Sequence, residues 1–160
     1  MTIRSLDFLD LPSLPRYRMD ILPLDTARLL TRGNPLGATA LLSYLNPRLN
    51  LYTAVCSETD ASLMGQVTLN DGETTARLTF LTPADKVVAL GQPLLDHLNH
   101  QAGEWGAQYV LAEVDEDSPS FHVLRKAGFA MFAWQRAWRL PVMQEFSAEA
   151  GSWRPAAEAD

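Results

Sequence analysis

The chain has 160 residues, of which 47% are hydrophobic, enough for one substantial domain with a continuous core. Its 13 Lys and Arg residues against 19 Asp and Glu residues give a net charge of -6. This balance argues against non-specific nucleic-acid binding and against a basic helix lying on a membrane, and it favours a cationic or amine-bearing partner.

The single cysteine, Cys56, cannot form a disulfide within the chain. It has no Cys or His neighbours at the spacing of zinc ligands, so we expect a small core residue and no metal site. No apolar run approaches the length of a membrane span, and the opening MTIRSLDFLD carries two acids where a signal peptide would be basic. These features predict a cytoplasmic protein with no membrane partner.

Prolines interrupt the first part of the chain. A short apolar segment around Ile3 to Leu6 precedes a stretch from Pro12 to Pro23 that permits only short helices or extended pieces. Asn34-Pro35 then has the pattern of an N-cap followed by proline at the first helical position, and the apolar residues beyond it have helical spacing. We predict a helix from there to Asn46-Pro47.

Three strand-like runs follow, at Leu51–Ser57, Leu63–Asn70 and Thr75–Leu81. In the second run, apolar and polar residues alternate with a period of two, as in a half-buried strand. The connectors SETDA and NDGE are short and rich in turn residues. The runs therefore predict an antiparallel meander with one face that helices cover.

The segment ADKVVALG leads from the third run into an amphipathic helix, for which Gly106 is the predicted C-cap. Tyr109 to Val114 is predicted as a strand. Because a full helix connects it to Thr75–Leu81, this strand should lie parallel to that run. The connecting turn then lies at the carboxyl end of a parallel strand and ahead of a helix, where open sheets bind ligands and where an anion is favoured.

The last third contains one more predicted helix, which begins at Ser118-Pro119 and ends at Gly128. The aromatic-rich segment from Phe129 to Leu140 is predicted as a long strand. Beyond Pro141 the composition is rich in Glu, Ala and Ser, which is typical of a linker or a tail.

Four stretches of the chain resemble the GNAT superfamily of N-acetyltransferases: IRSLDFLDL, LTPADKVVALGQPLLDHL, YVLAEV and DSPSFHVLRKAGF. The resemblance covers most of Ile3 to Leu140. It implies an α/β fold with a mixed, mostly antiparallel sheet, one splayed parallel pair of strands and helices on both faces. It also implies a GNAT-like domain over residues 1–140, with residues 141–160 as a linker or tail.

Members of that family bind acetyl-coenzyme A (acetyl-CoA) through a turn written Q/R-x-x-G-x-G/A, whose amides hold the pyrophosphate ahead of a helix. In this sequence Lys86 replaces the first residue, Ala89 replaces the first glycine and Gly91 matches the last position. Pro93 is a further departure, because it removes one N–H from the start of the helix. The alternative interpretation is an ordinary connector between a strand and a helix. The resemblance implies that the co-substrate acetyl-CoA contacts Phe80, Leu81, Thr82, Lys86, Val87, Val88, Ala89, Leu90, Gly91, Gln92 and Asp117.

The family's usual base and acid are missing from their positions. The base is often a glutamate on the strand before the turn, and the acid is often a tyrosine four residues before the Gly-Phe of the next helix. Here Arg77 and Leu124 stand at those positions, and neither can exchange the required proton. Three possibilities follow. The first is attack by a well-placed amine with solvent taking the proton, and the second is no catalysis. The third is substitution by a nearby group among Glu113, Asp115, Tyr109 and His122, of which we take Glu113 and Tyr109 as the catalytic candidates.

The resemblance implies transfer of an acetyl group from acetyl-CoA to a primary amine of a small-molecule or peptide acceptor. The competing hypothesis is a catalytically silent domain that binds an acyl-CoA or packs against a partner domain. The end of the chain, from Trp153 to Asp160, parallels Ile3 to Asp10 in its apolar residue, its arginine and the later aspartate. This parallel suggests the start of a second GNAT domain, with a disordered tail as the alternative. A homodimer or a second GNAT domain is the expected protein partner, and no nucleic acid is expected.

Overall fold

The structure is a computed structural model that describes residues 1–6, 17–18, 20–34, 36 and 49–136. The chain divides into two compact units, Met1–Ala130 and Met131–Asp160. The helices and strands given below belong to the first unit. Within the second unit, residues 131–136 have no regular secondary structure. The domain boundary expected at residue 140 lies outside the described residues.

Six strands form one mixed sheet in the described part of the chain. They are β1 Thr2–Ser5, β2 Leu22–Pro23, β3 Leu49–Glu58, β4 Ala61–Asn70, β5 Thr75–Thr82 and β6 Tyr109–Leu111. The strand order is β1-β3-β4-β5-β2, and β6 also pairs with β5. The β5 and β6 pair is parallel, and the other pairs are antiparallel.

The predicted meander is confirmed by β3, β4 and β5. A two-residue turn, Thr59-Asp60, joins β3 to β4, and the register pairs Glu58 with Ala61 across it. The turn between β4 and β5 contains Gly72 at a φ of +77°, a conformation that glycine adopts without steric cost. Short turns and a period of two therefore fixed this part of the sheet locally.

Three helices lie in the described ranges: α1 Thr26–Arg32, α2 Val87–Glu104 and α3 Pro119–Lys126. A 3-10 turn, Ala84–Lys86, leads directly into α2. The predicted ends of α2 and α3 are confirmed, since Gly106 and Gly128 follow them at φ values of +87° and +89°. The Ser118 hydroxyl caps α3 by accepting the Ser120 N–H at 3.2 Å.

Both faces of the sheet carry a hydrophobic cluster. The larger cluster joins the sheet to α2 and α3, and its members include Leu63, Leu78, Leu94, Leu98 and Val123. The smaller cluster lies on the opposite face, because its members alternate along the strands with those of the first. Its buried members are Tyr17, Leu36, Val55, Met64 and Phe80. Cys56 is fully buried in the larger cluster, as expected for a core cysteine.

One predicted strand is wrong over its described part. Residues 129–136 form no strand, and residues 137–140 lie outside the described range. The aromatic composition suggested a strand, but aromatic side chains favour strands through packing on a paired surface. Phe132 is 89% exposed and has no such surface.

The helix predicted from Asn34-Pro35 to Asn46-Pro47 falls largely outside the described residues. At its predicted start, the Asn34 side chain accepts the Leu36 N–H at 2.8 Å, which is the geometry of a cap. No helix in the described part of the chain is long and apolar enough to cross a membrane.

Candidate functional site

The parallel strands β5 and β6 separate soon after they begin. They are paired only from Thr75 with Tyr109 to Arg77 with Leu111. Beyond this point β5 continues to Thr82, whereas the predicted continuation of β6 toward Val114 is no longer a strand. We call the space between the carboxyl-terminal halves of these two segments the wedge. It lies where the connecting turn was predicted to bind a ligand.

A β-bulge marks the edge of the wedge. Gln66 pairs with Phe80 and Val67 pairs with Leu78, so Thr79 is an extra residue in β5. The Thr79 side chain is 3% exposed. Within the described part of the chain, its hydroxyl oxygen is one of two buried side-chain polar atoms without a hydrogen-bond partner.

The wedge is filled by residues 20–24 of the same chain, which we call the strap. On one side, Leu22 pairs with Leu81 and Pro23 pairs with Phe80. The Leu24 N–H also donates to the Thr79 carbonyl at 3.0 Å. On the other side, the Glu113 N–H donates to the Leu24 carbonyl at 2.9 Å. The strap therefore occupies the edge of β5 that β6 leaves free.

The strap also reaches the start of the helical segment after β5. The Asp20 carbonyl accepts the Ala84 N–H at 3.0 Å, and it accepts the Thr82 hydroxyl at 3.0 Å. The Asp20 carboxylate accepts the Asp85 N–H at 3.3 Å. The first two N–H groups that could bind an anion at this end are therefore already bonded.

The segment Lys86–Gly91 is not the open turn that the sequence predicts. Lys86 ends the 3-10 turn, and Val87 through Gly91 are the first residues of α2. Ala89 stands where the motif has its first glycine, and alanine favours helix, so the backbone continues as helix and its later N–H groups bond within the helix. Pro93 consequently lies inside α2 and not in its first turn.

The predicted cofactor residues in this segment differ in their burial and in their contacts. Lys86 forms an ion pair with Asp85, with 2.8 Å between Nζ and Oδ2. Val88 is 64% exposed, and Ala89 and Gln92 are exposed as well, whereas Val87 and Leu90 are buried in the larger cluster. The structure therefore does not gather these side chains into one surface.

Gly91 has a packing role. A Cβ at Gly91 would lie 2.8 Å from Cγ1 of Val123 on α3 and 3.2 Å from Cγ1 of Val87. Glycine at this position therefore allows α2 and α3 to approach closely.

The predicted residues of β5 border the wedge. Phe80, Leu81 and Thr82 have exposures of 0 to 1%. Phe80 and Leu81 pair with the strap through their backbones, and the Thr82 hydroxyl donates to carbonyls of residues 17 and 20. Asp117 is exposed in the loop before α3, where its N–H donates to the Asp115 carboxylate at 3.1 Å.

The two candidate catalytic residues lie in different places. Tyr109 pairs with Thr75 at the far end of β5, seven residues from Thr82. At about 3.3 Å per residue this is roughly 20 Å from the carboxyl end. Glu113 does lie at the wedge, but its carboxylate accepts the Thr26 N–H of α1 at 2.8 Å. Only Glu113 is therefore placed at the candidate site, and there it holds the start of a helix.

The usual base and acid positions carry no proton-transfer group in the structure either. Arg77 is exposed at the last residue paired with β6, and Leu124 is 4% exposed in the larger cluster. Of the predicted catalytic residues, Glu113 is the one that borders the wedge, and its carboxylate is bonded to the first residue of α1.

The sequence prediction missed the residues that close the site. Asp20, Leu22 and Leu24 lie in or next to the proline-rich stretch, where the sequence predicts only short helices or extended pieces and assigns none of them to the site. Their signal in the sequence is an apolar run, Ile21 to Leu24, between two aspartates. Asp25 after this run caps α1 by accepting the Arg28 N–H at 2.9 Å.

Comparison with known proteins identifies the fold. No protein-family model matches the chain, and no curated protein matches it. A solved crystal structure of a probable acetyltransferase is similar to it with a TM-score of 0.58 at 14% sequence identity. The similarity covers 91% of this chain and 100% of that chain. At this identity the comparison shows the fold alone: the α/β fold of that structure, which in the described part of this chain has a 6-stranded, mostly antiparallel sheet.

Proposed function

We propose that this chain is a GNAT-type domain that is catalytically silent in the folded state described above. The observation that carries the proposal is the strap, which takes the backbone edge of β5 and the first N–H groups of the following helical segment. An acyl-CoA that binds between the separating strands needs the same groups. The domain is then a structural or partner-binding unit, and a homodimer or a second GNAT domain is the partner that we propose.

The chemistry of the wedge supports the same proposal. Acetyl transfer to an ammonium group requires a proton to leave the nucleophile and a proton to reach the thiolate. The guanidinium of Arg77 has N–H donors and no acceptor for a proton, and Leu124 has no exchangeable proton. Glu113 is bonded to the Thr26 N–H, so its carboxylate is held by α1.

A second candidate function is transfer of an acetyl group from acetyl-CoA to a primary amine. It is favoured by the separating parallel pair and by the bulge that leaves the Thr79 hydroxyl buried and unpartnered. In this scheme proximity accelerates direct attack by the amine, and solvent removes the proton. The acidic net charge of -6 favours an amine acceptor over a nucleic acid. With either candidate function we propose a cytoplasmic location, as the acidic opening of the sequence predicts.

Calorimetric titration with acetyl-CoA, followed by measurement of free thiol with a panel of primary amines, separates the two candidates. We expect no binding below millimolar ligand and no release of coenzyme A thiol above the uncatalysed rate. Amine-dependent thiol release by the unaltered protein would establish the second candidate and overturn the first.

A further inference from the structure

The strap presents its groups in a particular order. It begins with the Asp20 carboxylate at the start of the 3-10 turn, then runs in an extended conformation antiparallel to β5, and ends at the bulge around Thr79. An anionic group is thus followed by a chain of amides that pairs with a strand edge. Coenzyme A has the same order, with a diphosphate followed by a flexible arm that contains two amides and ends in the thiol.

The contacts of the strap fall on both walls of the wedge. The Leu24 N–H bonds to Thr79 of β5, and the Leu24 carbonyl accepts the N–H of Glu113. A ligand arm cannot pair with Thr79–Leu81 while these bonds exist, because each edge carbonyl and N–H on that side serves one strand at a time.

A second observation at the bulge points to a ligand. The Thr79 hydroxyl is buried without a partner although the strap passes beside it and bonds to its carbonyl. Buried hydroxyls normally have a hydrogen-bond partner, since leaving one unmade is unfavourable. The strap thus satisfies the backbone at the bulge and leaves one side-chain group that a different occupant can satisfy.

We propose that the strap is an internal mimic of an acyl-CoA, and that the wedge beneath it is an acyl-CoA site that is accessible only after residues 20–24 leave. The inference rests on the proposed assignment of the wedge as the acyl-CoA site of a GNAT-type fold. Binding of acetyl-CoA and protection of the strap N–H groups from hydrogen exchange are then mutually exclusive. The apparent affinity of the unaltered protein is lowered in proportion to the small fraction of molecules in which the strap is released.

The test uses a double variant, Asp20→Ala with Leu22→Gly, which we call the strap variant. It loosens the strap and leaves the residues of β5 and α2 unchanged. Asp20→Ala removes the carboxylate from the Asp85 N–H, and Leu22→Gly removes an apolar contact with the larger cluster and makes the extended strap more flexible. Asp71→Ala is the matched control, because it makes the same change of charge in the exposed turn before β5. Asp20→Ala alone serves as the milder variant if the double variant does not fold, since Asp20 is exposed.

Acetyl-CoA affinity is measured by calorimetry, and the position of the strap is measured by hydrogen exchange at the N–H groups of Leu24 and Glu113. We expect the strap variant to exchange faster at both positions and to bind acetyl-CoA at least tenfold more tightly than the unaltered protein. The Asp71→Ala protein should match the unaltered protein in both measurements.

Two results would overturn the inference. One is a variant with fast exchange at Leu24 that gains no affinity, and the other is binding of acetyl-CoA while the Leu24 N–H stays protected. Neither depends on catalysis. Thiol release by the unaltered protein would instead contradict the proposal that the domain is catalytically silent. The hydrogen-exchange result would then still test whether the strap excludes acetyl-CoA.

Discussion

The role of Gly91 in the structure differs from the role that the sequence predicts. In the sequence it matches the last glycine of a cofactor turn, and in the structure it lies inside α2 against Val123. A bulky residue at this position would separate two helices. Loss of ligand binding in such a variant would therefore report damaged packing and would not identify a cofactor site.

The close approach of Gly91 to Val123 predicts that two glycine-to-alanine substitutions in α2 change the free energy of unfolding in opposite directions. Gly91→Ala would place a methyl group 2.8 Å from Val123, and overpacking of about 1 to 3 kcal/mol should outweigh the gain in helix propensity. Gly103→Ala, with no atom within 4 Å of the added Cβ, should stabilise the protein by up to about 1 kcal/mol. Urea denaturation measures both changes in the free energy of unfolding. Equal stabilisation by the two substitutions would show that α2 and α3 are not in close contact.

The raised pKa values of two β3 side chains predict how the free energy of unfolding changes in alkali. Burial raises the pKa of the Tyr52 phenol above its ordinary value of 10.0, and the Glu104 carboxylate raises it further. Burial likewise raises the pKa of the Cys56 thiol above 9.0, with a further increase from Glu58 that the N-terminal amine opposes. The folded state therefore favours the protonated form of both groups. Their contribution to stability is complete below the unfolded pKa values and is lost as the pH rises through the higher folded values.

We expect the free energy of unfolding to fall as the pH rises through the ordinary thiol value of 9.0 and the ordinary phenol value of 10.0. The Tyr52→Phe protein should lose less stability over that range, although it also lacks the 2.9 Å hydrogen bond between the Tyr52 hydroxyl and Nε2 of His97. Denaturation of both proteins at a series of pH values makes the comparison. A decline of the same size in both would show that Tyr52 does not titrate with a raised pKa.

At the scale of elements, α1 and the strap are held by groups that are distant in sequence. Thr26 at the start of α1 donates its N–H to Glu113, which lies 87 residues later in the chain. The Glu113 backbone also holds Leu24 through its own N–H. One residue of the loop after β6 thus fixes both the end of the strap and the beginning of α1.

This arrangement predicts a structural phenotype for Glu113. Glu113→Ala leaves the Thr26 N–H without its acceptor and should destabilise the protein by about 1 to 3 kcal/mol. Glu113→Gln keeps an acceptor oxygen and should cost less than about 1 kcal/mol. Thermal or urea unfolding of the two variants gives the comparison. If both variants unfold like the unaltered protein, the contact with Thr26 does not support α1.

The elements that the sequence predicts correctly are those with local causes. The alternation in Leu63–Asn70 and the short connectors around it specify the meander. Gly106 and Gly128 mark helix ends because each adopts a positive φ. The shortened β6 and the strap were not predictable in this way, because both depend on which segment takes the free edge of β5.

At the scale of the whole molecule, the order of elements and the resemblance that it carries indicated an α/β domain, and the mixed sheet with its helices confirms that fold class. The two buried clusters on opposite faces follow from a sheet with apolar residues on both sides. The charge of -6 concerns the partner that the molecule attracts and does not distinguish one α/β fold from another.

The sequence by itself determined the meander, the ends of α2 and α3, and the identity of Arg77 and Leu124 at the positions where the resemblance implies a base and an acid. These depend on side-chain periodicity, turn chemistry and the identity of single residues. Only the tertiary structure decided that Lys86–Gly91 is helical from its start, that Gly91 serves helix packing, and that residues 20–24 fill the wedge. The physical reason is that the edge of β5 can pair with any extended backbone that reaches it, and side-chain patterns do not show which one does.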